Sequence, residues 1–242
     1  MISWWKELIP LNSDFRYIDE NLRAIRFNMS EAAAKYRKPE EKIRLMAVTK
    51  TVSPEAVNHS IELGIDLLGE NRVQEYQSKK EFYSKGTEVQ FIGHLQTNKV
   101  KYIIDSVTMI QSVDSIRLAS EINRLAKAQN TVMDVLCEVN IGGEESKSGV
   151  SPHELEGFVE QLAEMEHIHV RGLMTIPPPS DSDIFLAEMQ ELFMKLKESG
   201  ISGADMDILS MGMTHDYAEA IKYGSTLVRI GTGLFGARNY NK

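Results

Sequence analysis

The chain has 242 residues, of which 42% are hydrophobic and 26% are charged, so its composition excludes a disordered or fibrous protein. Its formal net charge of −8, with no segment that concentrates lysine and arginine, argues against a protein that binds nucleic-acid phosphates. No apolar run reaches the roughly 18 residues of a membrane span, and the single cysteine, Cys137, excludes an intrachain disulfide and fits a reducing cytoplasm.

The chain repeats one unit, a short run of β-branched residues followed by a turn and an amphipathic helix. The eight predicted strands cover residues 44–50, 67–71, 88–94, 109–114, 133–140, 169–176, 205–211 and 227–232. Two of the intervening helices are predicted to begin at Ser53 and Ser151, because each serine precedes a proline, which suits the first helical position. Strands and helices that alternate at this spacing indicate parallel βαβ units.

Eight such units predict an α/β fold, a single (β/α)8 barrel of the TIM type that takes in residues 1–242. The length is typical of that barrel, and no linker divides the chain. No helix is expected after the last strand, so the helical pattern at residues 13–38 should complete the outer ring. Residues 1–12 would form an N-terminal extension whose tryptophans, Trp4 and Trp5, pack onto the barrel. A doubly wound open sheet is the alternative.

Lys50 closes the first predicted strand, where it shares a face with Met46 and Val48. The C-terminal ends of the strands are where such barrels keep their chemistry. Partial desolvation there would favour the neutral, nucleophilic amine that forms a Schiff base. For this segment alone, a solvated surface lysine is the simpler alternative.

The loops after the seventh and eighth predicted strands have the composition of a phosphate-binding cup. They read Ser210–Thr214 and Arg229–Gly233, and both contain glycine and hydroxyl residues. Glycines let backbone N–H groups approach a phosphate closely, and hydroxyls add further donors. The alternative is that the glycines only permit tight turns.

Arg229 is expected to point into the barrel, because it alternates with Leu227 and Gly231 on one face of its strand. A buried guanidinium needs an acceptor or a negative partner. One candidate is a salt bridge to Glu138 on the fifth strand. The other is the ring nitrogen of a bound pyridine. A lysine, a phosphate cup and a ring-nitrogen partner together describe a pyridoxal-phosphate site.

Six short motifs, in the same order along the chain, resemble those of the pyridoxal phosphate homeostasis protein family. They are Ala47–Lys50, Gly69–Asn71, Phe91–Lys99, Gly172–Thr175, Ser210–Met213 and Val228–Thr232. The resemblance runs from about residue 20 to about residue 238 and implies the barrel of bacterial alanine racemase. Two segments depart from the family pattern. Thr214-His215 replaces a serine followed by an acid or amide, and residues 176–179 are richer in proline.

The resemblance also implies roles for particular residues. Lys50 would form an internal aldimine with pyridoxal 5'-phosphate (PLP), and Arg229 would face the ring nitrogen. The residues that would hold the phosphate are Ser210, Gly212, Met213, Gly231 and Thr232. Those that would line the ring or the mouth of the site are Asn71 and His94.

Catalysis at this site would require more than the cofactor. A racemase needs one base on each face of the substrate carbon, and Lys50 supplies only one. An arginine at the ring nitrogen also weakens the electron sink of the pyridine. The resemblance likewise implies a carrier or regulator of the cofactor. We therefore expect no catalytic residues, no metal, and a cytoplasmic protein that stores, protects or delivers PLP.

The expected partners are PLP itself and, as recipients, PLP-dependent enzymes, with no nucleic acid and no membrane. We expect a monomer, with a weak dimer as the alternative. Two other functions stay open. One is a PLP-dependent amino-acid racemase, and the more distant one is a Schiff-base aldolase that would use Lys50 against a sugar phosphate without a cofactor.

Overall fold

A computed structural model describes residues 15–237, which form a closed barrel of eight parallel strands. The strands are β1 (Arg44–Val48), β2 (Leu67–Glu70), β3 (Glu88–Phe91), β4 (Met109–Val113), β5 (Met133–Val139), β6 (Ile168–Thr175), β7 (Ala204–Ser210) and β8 (Leu227–Ile230). They pair in chain order, and β8 closes the barrel against β1. The predicted (β/α)8 barrel is confirmed, and the open sheet is wrong.

Helices surround the barrel on its outer face. They are α1 (Arg16–Tyr36), α2 (Pro54–Glu62), α3 (Val73–Lys79), α4 (Ile116–Ala128), α5 (Leu155–Ala163), α6 (Ser182–Ser199), α7 (Tyr217–Lys222) and α8 (Thr232–Phe235). Short 3₁₀ helices cover Lys80–Phe82 and Thr97–Tyr102. Helix α1 packs against α7 and α8. The N-terminal helix therefore completes the outer ring, as the sequence predicts.

Two local predictions are wrong. The last strand is followed by a helix after all, because the backbone turns at Gly231 into the single turn α8. Ser151 does not cap a helix: its hydroxyl donates to the carboxylate of Glu154, and α5 begins only after Glu154. Ser53 does cap α2, since its hydroxyl accepts the N–H of Ala56 at 3.4 Å.

Apolar side chains cover both faces of the strands. The outer layer lies between the barrel and the helices. The inner layer fills the barrel with Met46, Leu67, Ile92, Met109, Leu136, Met174 and Leu227. Gly69 makes room for this layer, because a Cβ at that position would lie 2.5 Å from the Met46 sulfur. Strands covered on both faces are typical of a parallel barrel, whose chemistry is left to the strand ends.

The N-terminal extension predicted at residues 1–12, with Trp4 and Trp5, lies outside the described residues. Within residues 15–237, no helix combines the length and the apolar character needed to cross a bilayer. The same residues contain no group of three or more histidine, cysteine, aspartate or glutamate side chains that could hold a metal ion.

Candidate active site at the barrel mouth

Lys50 lies at the C-terminal mouth of the barrel, in a turn of residues 49–52 that follows β1. A 3.0 Å hydrogen bond from the Val52 N–H to the Thr49 carbonyl closes this turn. The Lys50 side chain is half-buried and lines a cavity of about 180 Å³. Lys50 therefore occupies the rim position that its place at the end of the first strand indicates.

The cavity gathers residues from several strand ends. The predicted site residues in its wall are Lys50, Asn71, Met213, Arg229, Gly231 and Thr232. The remaining wall residues are Val48, Ile92, Ile176, Thr214 and His215. Three predicted site residues, His94, Ser210 and Gly212, do not line the cavity. The proline-rich departure from the family pattern contributes Ile176, whose side chain is 44% exposed.

A second cavity of about 360 Å³ adjoins the first on the side of α8. The two cavities share Val48, Lys50, Gly231 and Thr232, and the second is lined on its far side by Phe15 and Tyr17. Lys50 and Thr232 therefore belong to the walls of both cavities.

Arg229 is buried inside the barrel directly below the mouth. Its Nη1 donates to the Ser210 hydroxyl and its Nη2 to the Thr175 carbonyl, both at 2.7 Å. Burial lowers the pKa of Arg229 to about 10, although the charges of Asp216 and Glu138 favour its protonated form. Arg229 therefore remains a cation at neutral pH, and it forms part of the cavity wall.

The alternative partner of Arg229, a salt bridge to Glu138, is wrong for the described residues. Glu138 instead accepts a 3.0 Å hydrogen bond from the Ser148 hydroxyl, and its Oε2 is buried without a partner among those residues. Burial raises the pKa of the Glu138 carboxyl. The charges of Arg229 and Glu138 affect each other's pKa, but the two side chains form no salt bridge. The acceptors of Arg229 come instead from β6 and β7.

Ser210, which is predicted to hold the phosphate, does not present its hydroxyl to the cavity. Its side chain is fully buried inside the barrel, where the hydroxyl accepts from Arg229 and donates to Gln111 Oε1 at 2.7 Å. Gln111 in turn donates to Gln90 at 2.5 Å. Alternation along β7 points Ser210 inward below the rim, so its hydroxyl holds Arg229 and faces away from the cup.

Gly212 and Met213 form the backbone of the loop after β7. Gly212 has φ +96°, and a Cβ there would lie 2.6 Å from the Cβ of Ala220 on α7. Its carbonyl accepts the N–H of Arg229 at 2.9 Å. The Met213 N–H is already engaged by Asp216 at 2.6 Å. Gly212 therefore lets α7 pack closely, while Met213 offers the cavity its side chain.

Thr214, which the sequence places in the cup loop but outside the predicted set of phosphate-holding residues, lines the cavity. Its hydroxyl lies 3.3 Å from the Thr232 hydroxyl and accepts the N–H of Gly233 at 3.1 Å. The loops after β7 and β8 thus bring two hydroxyls and the Gly231 backbone to one point of the wall. The signal was present in the sequence, because threonine keeps the hydroxyl of the serine that it replaces.

Asn71 and His94 were assigned together to the ring or the mouth, and the structure separates them. Asn71 lines the cavity, and its Oδ1 is buried with no hydrogen-bond partner among the described residues. His94 has a side chain 64% exposed, and its Nδ1 lies 3.6 Å from Asp114. A buried acceptor without a partner is uncommon in native structures, so the Asn71 oxygen could accept a hydrogen bond from a ligand in the cavity.

These groups suit an aldehyde-bearing pyridine phosphate. Lys50, which carries a primary amine, and Arg229, which carries a buried guanidinium, line the same small space, with a pair of hydroxyls beside glycine backbone at its edge. The unpartnered Asn71 oxygen adds an acceptor for a ring hydroxyl. Apolar contacts from Val48 and Ile92 complete a wall on which an aromatic ring can lie.

Comparison with known proteins agrees with this chemistry. The family model of the alanine racemase N-terminal domain matches residues 21–239. A pyridoxal phosphate homeostasis protein from Aquifex aeolicus is 42% identical, over 91% of this chain and 98% of its own. The protein of the same name from Pasteurella multocida is 38% identical, over 93% and 99% of the two chains.

Solved structures extend the comparison to three dimensions. A protein of unknown function from Bifidobacterium adolescentis superposes with a TM-score of 0.87 at 32% identity, over 95% of this chain and 98% of its own. PipY of Synechococcus elongatus, solved with PLP bound, gives a TM-score of 0.78 at 27% identity, over 90% and 100%. An alanine racemase from Clostridium difficile, 19% identical with a TM-score of 0.68, shares the fold over 93% of this chain and 58% of its own.

Proposed function

The chain belongs to the family of pyridoxal phosphate homeostasis proteins, and from that premise we propose that it binds PLP covalently through Lys50. The Lys50 amine would attack the aldehyde carbon of PLP, and the aldehyde oxygen would leave as water, so that a Schiff base (the internal aldimine) joins protein and cofactor. The observation that carries the proposal is that Lys50, Arg229 and the hydroxyl pair of Thr214 and Thr232 line one cavity.

The phosphate is proposed to lie against the loops after β7 and β8. The Thr232 and Thr214 hydroxyls would donate to its oxygens, and the absence of a side chain at Gly231 would let the backbone approach. Met213 would pack beside it. Ser210 and Gly212 contribute indirectly, the first by holding Arg229 and the second by admitting α7.

The ring is proposed to lie with its nitrogen toward Arg229 and its hydroxyl toward Asn71. A guanidinium that donates to the ring nitrogen keeps that nitrogen unprotonated, and an unprotonated pyridine is a weak electron sink. This supports a protein that stores, protects or delivers PLP without completing a catalytic cycle. His94, at the rim beside Asp114, would then stand at the mouth and leave the ring itself to Asn71.

One observation favours a second candidate, a PLP-dependent amino-acid racemase. The cavity wall includes His215, a potential second base besides Lys50. Incubating the PLP-loaded protein with an L-amino acid in deuterated water separates the two functions. A racemase exchanges the α-hydrogen for deuterium, whereas a carrier returns the amino acid unlabelled.

Borohydride reduction tests the proposal itself. The purified protein should show the visible absorbance of a PLP Schiff base, and reduction should fix the cofactor to Lys50 in a digest. Lys50→Ala should fold and lose that label, because the side chain stands at a rim outside the packed layers. A label on another lysine, such as Lys99, or a colourless wild-type protein would contradict it.

The setting of the protein belongs to the same proposal. We place it in the cytoplasm as a monomer that passes PLP to PLP-dependent enzymes. The support for the compartment is the cysteine usage, because a chain with a single cysteine fits a reducing environment. Cys137 is buried, and burial raises its pKa to about 12, so its thiol is unreactive and does not compete with Lys50 for the aldehyde of PLP.

A further inference from the structure

The turn that carries Lys50 has an unusual backbone. Thr51, the third residue of the turn at 49–52, has φ +63°. Glycine or asparagine ordinarily fills a left-handed position in a turn, and a β-branched residue there is an outlier. Strain of this kind persists only where the surrounding structure enforces it. The contacts that enforce the Thr51 conformation also bear on Lys50, because Thr51 directly follows it.

Two side chains of α3 make those contacts. Glu75 Oε1 accepts the Thr51 N–H at 2.5 Å, and the Lys79 ammonium donates to the Thr49 carbonyl at 3.1 Å. Glu75 and Lys79 also pair with each other, one helical turn apart, with side chains only 17% and 12% exposed. The peptide groups on both sides of Lys50 are thus held by a single ion pair.

A buried layer supports this ion pair from behind. The Thr49 hydroxyl and the Tyr83 hydroxyl both donate to Glu70 Oε1, at 2.7 and 2.5 Å. Thr49 therefore has its side chain anchored to β2 while its carbonyl is anchored to Lys79. The turn can shift only if several buried hydrogen bonds break together.

We propose that Glu75 and Lys79 are positioning residues that aim the Lys50 amine into the cavity and so govern its reaction with the aldehyde of PLP. The inference rests on the proposed function. When both neighbouring peptide planes are fixed, the direction of the Lys50 Cα–Cβ bond is fixed as well. That bond sets the direction in which the side chain carries its amine. Misplacing a reacting group by about an ångström costs on the order of a hundredfold in rate. Neither residue touches the cofactor site itself.

The first experiment reads the direction of the amine without any cofactor. The apo-protein and its Glu75→Ala variant are pulsed with acetic anhydride, and the acetylation rate of Lys50 is compared with that of exposed Lys127. We expect the Lys50 rate, relative to Lys127, to change severalfold in Glu75→Ala. Glu75→Gln, which keeps the acceptor oxygen, should stay near wild type. An unchanged Lys50 rate in Glu75→Ala overturns the proposal.

The second experiment separates aiming from binding. PLP is compared with 4'-deoxypyridoxine 5'-phosphate, which has the same ring and phosphate but no aldehyde. We expect Glu75→Ala to weaken PLP binding and slow Schiff-base formation on the order of tenfold to a hundredfold, while the analogue binds as before. Equal losses for both ligands would make Glu75 a general support of the cavity and overturn the proposal.

Two further variants control for a general loss of folding in Glu75→Ala. Glu121→Ala breaks a more exposed intrahelical pair, with Arg124 on α4, and should change neither readout. Thr51→Gly in the Glu75→Ala background removes the left-handed strain, so it should restore part of the affinity for PLP. A double variant that binds PLP no better than Glu75→Ala would contradict the proposal that Glu75 aims the Lys50 amine. If wild type is never trapped at Lys50, the proposed function fails, while the acetylation comparison still decides whether Glu75 directs the amine.

Discussion

The guanidinium of Arg229 donates a 2.7 Å hydrogen bond to the hydroxyl of Ser210, and both side chains are buried inside the barrel. Ser210 extends the interaction across the barrel, because it donates in turn to Gln111 on β4. The partner proposed for the pyridine nitrogen is thus oriented by the barrel itself. Ser210, the last residue of β7, and Thr232, the first residue of α8, consequently have separable roles.

Ser210→Ala tests the internal role. The change leaves a guanidinium N–H and the Gln111 oxygen without their buried partner, at a cost of about 1.5–3 kcal/mol in the free energy of unfolding. The apo-protein should melt lower by roughly 2–4 °C for each kcal/mol. PLP and pyridoxal should lose affinity by the same factor. A loss of affinity for PLP but not for pyridoxal would show that Ser210 binds the phosphate after all.

Thr232→Ala and Thr214→Ala test the cup. Each removes one donor to a charged oxygen, a loss of about 1.5–3 kcal/mol. That corresponds to roughly tenfold to hundredfold weaker binding of PLP in a fluorescence titration. Pyridoxal, which has no phosphate, should bind nearly as before. Thr131→Ala, on the exposed surface ahead of β5, is the matched control; parallel losses for both ligands would show that the hydroxyls only shape the loops.

Arg229→Gln tests the cation beneath the ring. Losing the charged hydrogen bonds to Ser210 and Thr175 should cost about 1.5–3 kcal/mol of apo stability, and the Schiff-base spectrum of the loaded variant should shift. Adding Glu138→Gln should not restore the melting temperature, because Glu138 bonds to Ser148 and makes no contact with Arg229. Recovery in the double variant would reinstate the salt bridge.

Glu70 predicts a pH dependence of folding. Burial raises the pKa of this carboxyl above its ordinary value of 4.5. The folded state therefore keeps a proton that the unfolded state releases, and stability is lost as the pH rises from the unfolded toward the folded pKa. The glutamine side chain of Glu70→Gln is neutral at every pH. The stability of this variant relative to wild type should therefore increase as the pH rises above 4.5, the ordinary pKa of the carboxyl. Urea unfolding at a series of pH values measures the difference, and a pH-independent difference would contradict it.

Much of the fold could be predicted because its signals are local. Most strands are short apolar runs that are visible in the sequence, and β1 (Arg44–Val48) leads directly into the turn that carries Lys50. Alternation along β8 likewise placed Arg229 inside the barrel. The single turn of α8 escaped notice, since four residues are too few to show a helical period.

The partners inside the site could not be predicted in this way. Thr214 meets Thr232 and Thr51 meets Glu75 across 18 and 24 residues of chain. The sequence offered Glu138 as a salt-bridge partner for Arg229, yet Arg229 donates hydrogen bonds to Ser210 and to the Thr175 carbonyl. A sequence pattern reports which face a residue occupies, and the sequence by itself determined that much. Which residues meet across the barrel was decided only by the tertiary structure, because the stagger and closure of all eight strands set those distances together.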